Sequence, residues 1–150
     1  MTYTRHGRQW VYLAVVLDLY SRRVVGWAMS RKKDVSLTGQ ALMQAIRRRK
    51  PAKGLIFHTD RGSEYRSYKA QAINARYGVI PSMNRPGYCT DNAEVESFFH
   101  SLKSDIIKER VFATEDALYR AVSHYINHFY NKKRLHSALG YCSPMEFERR

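Results

Sequence analysis

Two acidic residues, Asp60 and Glu96, occupy positions at which a carboxylate could bind a metal or act as a catalytic acid. Asp60 lies just after the short apolar run 55–57 and opens a polar loop in which Gly62 permits a tight exit. Functional side chains favour the carboxyl ends of strands in α/β proteins, so Asp60 suits a metal ligand or a catalytic acid. The alternative is a turn aspartate that bonds its own backbone, and position alone gives the two interpretations equal weight.

Glu96 lies on a predicted helix, and two residues that can bind phosphate share its face. His100 and Lys103 follow it at i+4 and i+7, which puts all three on one side of the helix. A carboxylate beside two such residues is the arrangement that a face binding both metal and DNA needs. The alternative is a surface network worth a few tenths of a kcal/mol, which the helix alone favours.

The elements that must position these acids alternate between strand and helix. The apolar run 10–17 predicts a central strand buried on both faces, and 24–29 predicts its antiparallel partner. Asp91 and Glu94 predict a capping box at the start of the helix that carries Glu96. Further helices are predicted at 36–50, at 67–77 and from 114 onward, with short extended segments at 55–57 and 79–80. This order predicts a mixed α/β domain with a central sheet and helices on its faces.

Asp18 is a third acid that follows an apolar strand directly. It could bind a metal, cap the hairpin turn, or pair with Arg22 or Arg23. We interpret it as structural, because an aspartate at a strand end commonly bonds the turn that follows.

The charge of the chain points to a polyanionic partner. The 150 residues include 26 Lys and Arg against 13 Asp and Glu, so the net charge is +13. Residues 1–50 carry +9 and residues 51–100 only +1, so the acids gather in the middle of a basic chain. This favours nucleic acid over a solvated basic surface without a specific partner. With two cysteines and no apolar run long enough to span a bilayer, we expect a cytoplasmic protein that does not interact with membranes.

Four blocks of the sequence carry a family resemblance, in the order in which the family has them. They are Tyr12 to Arg22 with Val25-Gly26-Trp27, the loop His58 to Tyr65, the helix Asp91 to Phe99, and Tyr130 to Phe147. With 35 residues between Asp60 and Glu96, the chain strongly resembles the retroviral-integrase-like DDE transposases. It resembles most closely the catalytic half of a bacterial insertion-sequence transposase of the downstream-frame (OrfB) type.

The resemblance implies a ribonuclease-H-like fold and a two-metal site. Residues 1–150 would form one integrase-type catalytic core, with a C-terminal tail motif at about 131–150. By matched position Asp60 is the second catalytic acid and Glu96 the third, and both would bind Mg²⁺ or Mn²⁺. Two such metals can activate the attacking oxygen and neutralise the leaving oxygen in an in-line displacement at phosphorus.

The same resemblance implies DNA as the partner, namely the ends of an insertion element and its target. Helical spacing makes His100 and Lys103 predicted DNA contacts, and Arg85 joins them because its loop precedes the catalytic helix. Arg134 belongs to the C-terminal motif and is predicted to contact DNA or to lock the tail. Self-association, or contact with the upstream-frame protein of the element, is a further expectation.

The first catalytic acid of the family has no counterpart in this sequence. The family places it in an Asp-x-Thr-Tyr context, and Met1-Thr2-Tyr3 supplies only the last three positions. The matching Asp would directly precede Met1, so we expect an N-terminally truncated core. We therefore predict DNA transposition or integration that is impaired. The alternative is an inactive remnant that acts at most as a non-specific nucleic-acid-binding module.

Two other site types are disfavoured. A tyrosine recombinase needs a late nucleophilic tyrosine beside several arginines and a histidine; Tyr141 is the late candidate, and the His-x-x-Arg pair before it, His58 and Arg61, lies far upstream in the Asp60 loop. A zinc site could use His124 and His128 with Cys89 or Cys142, but the chain lacks a Cys-x-x-Cys pair.

Overall fold

A three-stranded antiparallel sheet lies at the centre of the fold in the computed structural model, which describes residues 1–108 and 110–150. Its strands are β1 (Thr2–His6), β2 (Gln9–Leu17) and β3 (Val24–Ser30), in the order β1-β2-β3. The predicted hairpin and the central place of its first strand are therefore confirmed. Full burial of the run 10–17 is wrong at its start, because Trp10 is 48% exposed and packs edge-on against Tyr3.

Helices cover both faces of this sheet. The α-helices of the described residues are α1 (Val35–Arg49), α2 (Ser63–Arg66), α3 (Tyr68–Tyr77), α4 (Ala93–Leu102), α5 (Glu115–His124) and α6 (Pro144–Glu148). Helix α1 packs on one face, where Leu37 and Ala41 meet Ala14 of β2. The approach is close at Gly26 of β3, where a Cβ atom would lie 2.2 Å from the carbonyl oxygen of Ala41.

Helices α4 and α5 cover the opposite face and form the larger core. Both run on into π-helical turns, at Lys103–Ile107 and at Tyr125–Tyr130. The buried side chains of this core come from β2, β3, α4, α5 and the π-helical turn after α5: Val11, Leu13, Val15, Val24, Trp27, Phe98, Phe99, Leu102, Leu118, Val122, Tyr125, Ile126 and Tyr130. The chain is thus a three-layer α/β domain, which confirms the predicted architecture.

The start of α4 differs from the prediction. Asp91 lies in a short 3₁₀ helix (Cys89–Asn92), and the residue before α4 is Asn92, whose side chain makes no capping hydrogen bond. The carboxylate of Asp91 instead accepts hydrogen bonds from Arg85. The guanidinium of Arg85 is a charged donor and binds the carboxylate more strongly than a backbone N–H would. The carboxylate of Asp91 is therefore not available to cap α4.

A second pair of strands carries Asp60. Strands β4 (Ile56–Thr59) and β5 (Ile80–Met83) pair in parallel, and α2 and α3 connect them. Asp60 is the residue directly after β4, at its carboxyl end, as the sequence predicts. None of the described helices is both long and apolar enough to span a bilayer.

Candidate active site

Asp60 is held by the turn that leaves β4. The backbone N–H of Gly62 donates to Oδ1 of Asp60 at 2.7 Å, so the aspartate does bond its own turn. A Cβ atom at Gly62 would lie 2.9 Å from Asp60 Oδ1 and 2.5 Å from Glu64 Oε1, so a larger residue there would displace these two side chains. The turn fixes one carboxylate oxygen and leaves Oδ2 without a hydrogen bond within the described chain, so the turn role and a ligand role are compatible.

Glu64 is a second acid at this site, and the sequence analysis did not select it. Its side chain lies in α2, is only 8% exposed, and meets Asp60 across Gly62. Burial raises the pKa of Tyr65, and the charges of Asp60 and Glu64 raise it further. The signal in the sequence was weak: an acid four residues after Asp60 looks like any polar loop residue.

A histidine network ties β4 to the segment after β5. Nε2 of His58 donates to Oδ1 of Asn84 at 2.7 Å, and Nδ1 of His58 lies 2.9 Å from Oγ of Ser82. Arg61 Nε donates to the Asn84 carbonyl at 2.7 Å, and Asn84 is buried. These hydrogen bonds cross-link the end of β4, beside Asp60, to β5 and the residue that follows it.

The predicted face of α4 lies as the helical spacing requires. Glu96 and His100 are exposed, and Lys103 follows on the same side at the start of the π-helical turn. The ammonium of Lys103 lies 5.0 Å from the ring centroid of Tyr3 in β1. Within the described residues, Glu96 makes no hydrogen bond or ion pair, so its carboxylate is free to bind a ligand.

Strand β1 connects this face of α4 to Asp60. Burial lowers the pKa of the Met1 α-amino group, and the nearby carboxylates of Asp60 and Glu64 offset this lowering only in part. Tyr3, which contacts Lys103, is two residues further along and hence about 7 Å away. No cluster of three His, Cys, Asp or Glu side chains spaced for a metal occurs among residues 1–108 and 110–150.

Arg85 lies in the loop before α4, as predicted, and is paired there with Asp91. Its guanidinium donates to both carboxylate oxygens of Asp91 and lies 4.0 Å from the ring centroid of Tyr88. Hydrogen bonds from Arg85 hold the pKa of Asp91 down at about 2. Its side chain is still 64% exposed, so this arrangement leaves the guanidinium accessible to a phosphate.

Arg134 lies away from Asp60, in the C-terminal segment. Nη1 is 4.0 Å from Asp105, and the guanidinium sits 6.0 Å from the ring centroid of Tyr130. Its Nε atom is buried and has no partner among the described residues. Burial, followed by the charges of Arg134 and Arg22, lowers the pKa of His136. These contacts support the tail-locking role and do not test the predicted DNA contact.

Asp18 has the structural role that we favoured. Oδ1 of Asp18 accepts from the backbone N–H groups of Tyr20 and Ser21 at 2.8 and 3.2 Å, which caps the hairpin turn. Its ion-pair partner is Arg49, 3.5 Å away, instead of Arg22 or Arg23.

The residues considered for a zinc site, His124 and His128 with Cys89 or Cys142, lie as follows. The rings of His124 and His128 stack with centroids 5.0 Å apart on the last helical segment. Cys142 is buried in the core, and the side chain of Cys89 lies outside what the structure describes. The histidine pair therefore gains no cysteine ligand within the described residues.

The fold and the candidate site together define a class: an α/β core domain with an acid at the end of a parallel strand and a second acid on the exposed face of a helix. Comparison with known families identifies it. Residues 1–89 match one family model described as an integrase core domain, and residues 96–150 match a second model of the same description. The chain belongs to the integrase core domain family.

Curated relatives are proteins of bacterial insertion sequences. The chain is 45% identical over 148 residues to the transposase InsF of insertion sequence IS3A from Escherichia coli K12, which covers 99% of this chain and 51% of that protein. It is 40% identical to a 31 kDa protein of insertion element IS600 from Shigella sonnei, over 98% of this chain and 54% of that protein. The predicted resemblance is confirmed, and the chain spans about half the length of these relatives.

Solved structures of similar shape are retroviral integrases. The chain aligns with a chain of the simian T-cell lymphotropic virus intasome with a TM-score of 0.74, at 19% identity, over 99% of this chain and 52% of that chain. It aligns with the HTLV-2 integrase catalytic core domain, solved in complex with magnesium, with a TM-score of 0.68 at 18% identity, over 97% and 90% of the two chains. This likeness confirms the predicted ribonuclease-H-like fold.

Proposed function

We propose that this chain is the catalytic core of a DNA transposase, which cleaves DNA strands and joins them to a target with the help of divalent metal. The observation that carries the proposal is the position of Asp60 and Glu96 in an integrase core: Asp60 at the carboxyl end of β4 and Glu96, unpaired within the described residues, in the first turn of α4. The family membership and the transposase relatives support it.

The residues present fit a divalent metal. Asp60 keeps Oδ2 without a hydrogen bond within the described chain, and carboxylate oxygens are the ligands that Mg²⁺ and Mn²⁺ prefer. Mg²⁺ usually takes one or two carboxylates, completing its shell with water and substrate phosphate, so a three-residue cage is not required. Asp60 and Glu96 would hold the metal, which supplies charge neutralisation at the reacting phosphate and activates the attacking oxygen.

The chain's own basic residues would position the DNA. His100 and Lys103 share the exposed face of α4 with Glu96, and Arg85 remains largely exposed in the loop that leads into that helix. A phosphate backbone that runs along this face would pass His100 and Lys103 on one side of Glu96 and the Arg85 loop on the other. Arg134 is the fourth predicted DNA contact, and it lies in the C-terminal segment beside Asp105 and Tyr130.

Partners and location follow from the proposal. The DNA would be the ends of an insertion element and a target, so the place of action is the bacterial cytoplasm, at the nucleoid. Synapsis of two ends requires either a second copy of the chain or an upstream-frame partner protein, and both stay predictions.

The test is a cleavage and strand-joining assay on labelled DNA with Mg²⁺ or Mn²⁺. It compares the chain as given, a version with Asp placed directly before Met1, and that version carrying Glu96→Gln. The matched control is Glu94→Gln, on the same helical turn, where the carboxylate pairs with Arg22 at 3.4 Å. We expect activity from the extended form and from its Glu94 variant, loss with Glu96→Gln, and little activity from the chain as given.

The alternative function has its own outcome in this assay. If every version binds DNA and none cleaves or joins it, the chain is a nucleic-acid-binding module that retains the fold. If Glu96→Gln retains full activity in the extended form, the assignment of Glu96 is wrong.

A further inference from the structure

Glu64 is a buried acid in an unusual environment. Among the residues that the structure describes, it is the only Asp, Glu, Lys or Arg as little exposed as 8%. Charged side chains are almost never buried to this extent unless they are paired or bind a metal. No Lys, Arg or His side chain in the described chain forms an ion pair with it, and its carboxylate accepts no hydrogen bond there.

The neighbour of Glu64 makes its burial more costly. Glu64 Oε1 and Asp60 Oδ1 lie 2.5 and 2.9 Å from one point, the position that a Cβ on Gly62 would take, so these two oxygens are at most about 5.4 Å apart. Two carboxylates this close repel each other when both are ionised. A cation between or beside them removes the repulsion.

We infer that Glu64 is an additional ligand of the divalent metal bound by Asp60, so that the metal is held from α2 as well as from the end of β4. This inference rests on the proposed function, and it goes beyond the two acids that the family resemblance assigns. The turn at Gly62 sets the geometry: it fixes Asp60 through Oδ1 and brings the next helical turn, with Glu64, against the same space.

One cation in the structure competes for this place. The α-amino group of Met1 lies close to Asp60 and Glu64, with the ammonium of Lys33 nearby. The experiment therefore uses two forms, the chain as given and the form with Asp directly before Met1, in which the amino group is moved away from the acids.

The test measures metal binding and thermal stability, without any DNA. Mn²⁺ is titrated by isothermal calorimetry, and the melting temperature is recorded with and without Mn²⁺. The variants are Glu64→Gln, Asp60→Asn and the control Asp116→Asn, an exposed carboxylate at the start of α5. We expect Glu64→Gln to weaken Mn²⁺ binding about 10- to 100-fold, the size that loss of a supporting group typically has, and to abolish most of the Mn²⁺-induced rise in Tm.

The metal-free Tm separates a ligand from a structural acid. Removal of a buried charge that has no partner should leave the metal-free Tm unchanged or higher, whereas a structural glutamate should lower it and leave Mn²⁺ affinity intact. If Asp60→Asn abolishes Mn²⁺ binding and Glu64→Gln does not, the role of Glu64 is refuted and the proposed function survives. If no form binds Mn²⁺, or neither substitution matters, both are refuted.

Discussion

The carboxylate of Glu148 links the C-terminal helix α6 to distant parts of the domain. Oε1 accepts a hydrogen bond from Ser21 Oγ at 2.7 Å and a second from Arg49, and Oε2 accepts from Arg23 Nη1 at 2.8 Å. The partners come from the β2–β3 turn and the last turn of α1, so this cluster joins three distant parts of the chain. We predict that Glu148→Gln loosens α6 and lowers the free energy of unfolding.

The size of the effect follows from the pKa of Glu148. Burial alone would raise this pKa, but the hydrogen bonds from Arg49, Ser21 and Arg23 outweigh burial and bring it from 4.5 to about 2. A shift of this size corresponds to about 3 kcal/mol of stability at pH 7. Because the folded-state pKa is depressed, this stability is present above the unfolded pKa and is lost as the pH falls towards 2. About half of it should be gone at pH 3.

The assay is equilibrium urea unfolding of the wild type and Glu148→Gln at pH 7 and at pH 3. We expect a difference in the free energy of unfolding of about 2–3 kcal/mol at pH 7 that shrinks to about half at pH 3. The control is Glu146→Gln on the same helix, since glutamine keeps the capping hydrogen bond to the Ser143 backbone. An equal loss at both pH values, or an equal loss in the control, would refute the electrostatic explanation.

Three further predictions address the core and the DNA. Asn131→Ala should cost about 2–4 kcal/mol in urea unfolding, because its buried side chain satisfies both the N–H and the carbonyl of Val24; a cost below about 1 kcal/mol would contradict this. Gly26→Ala should cost about 3 kcal/mol or prevent folding, because its methyl group would meet the Ala41 carbonyl; an unchanged Tm would show that α1 can move away. Lys103→Gln should reduce the slope of log K for DNA against log salt by about 0.9, measured by fluorescence anisotropy, and an unchanged slope would remove it from the interface.

Much of the fold could be predicted from local pattern. The run 10–17 contains β-branched and aromatic residues almost throughout, and it forms β2 within one residue of the expected bounds. Two helix ends are also marked by local signals. The basic last turn of α1 lies next to the residue where that helix ends, and Thr114 directly precedes the first residue of α5. Strand β1 (Thr2–His6) has no such signal, because its short polar sequence becomes a strand only through pairing with β2.

The parts that could not be predicted depend on distant partners. Asp91 does not cap α4 as predicted, because Arg85, six residues away in an irregular loop, binds its carboxylate. The burial of Glu64 depends on how α2 folds over Asp60, and the cluster around Glu148 joins residues about 100 and 125 positions apart. The pattern of residues predicts elements, while ion pairs of this kind are set by tertiary packing.

The first turn of α4 shows how one short segment serves both the fold and the proposed chemistry. Glu94 and Glu96 are two residues apart and therefore lie on different sides of the helix. Glu94 faces the β2–β3 turn and pairs with Arg22, whereas Glu96 shares its side with Lys103, which contacts Tyr3 of β1. Because the Glu94 pair is partly exposed, its loss should cost at most about 1 kcal/mol of stability. The roles of these two chemically alike carboxylates can thus be separated by substitution. Glu94→Gln should change stability without changing activity, and Glu96→Gln should change activity without changing stability.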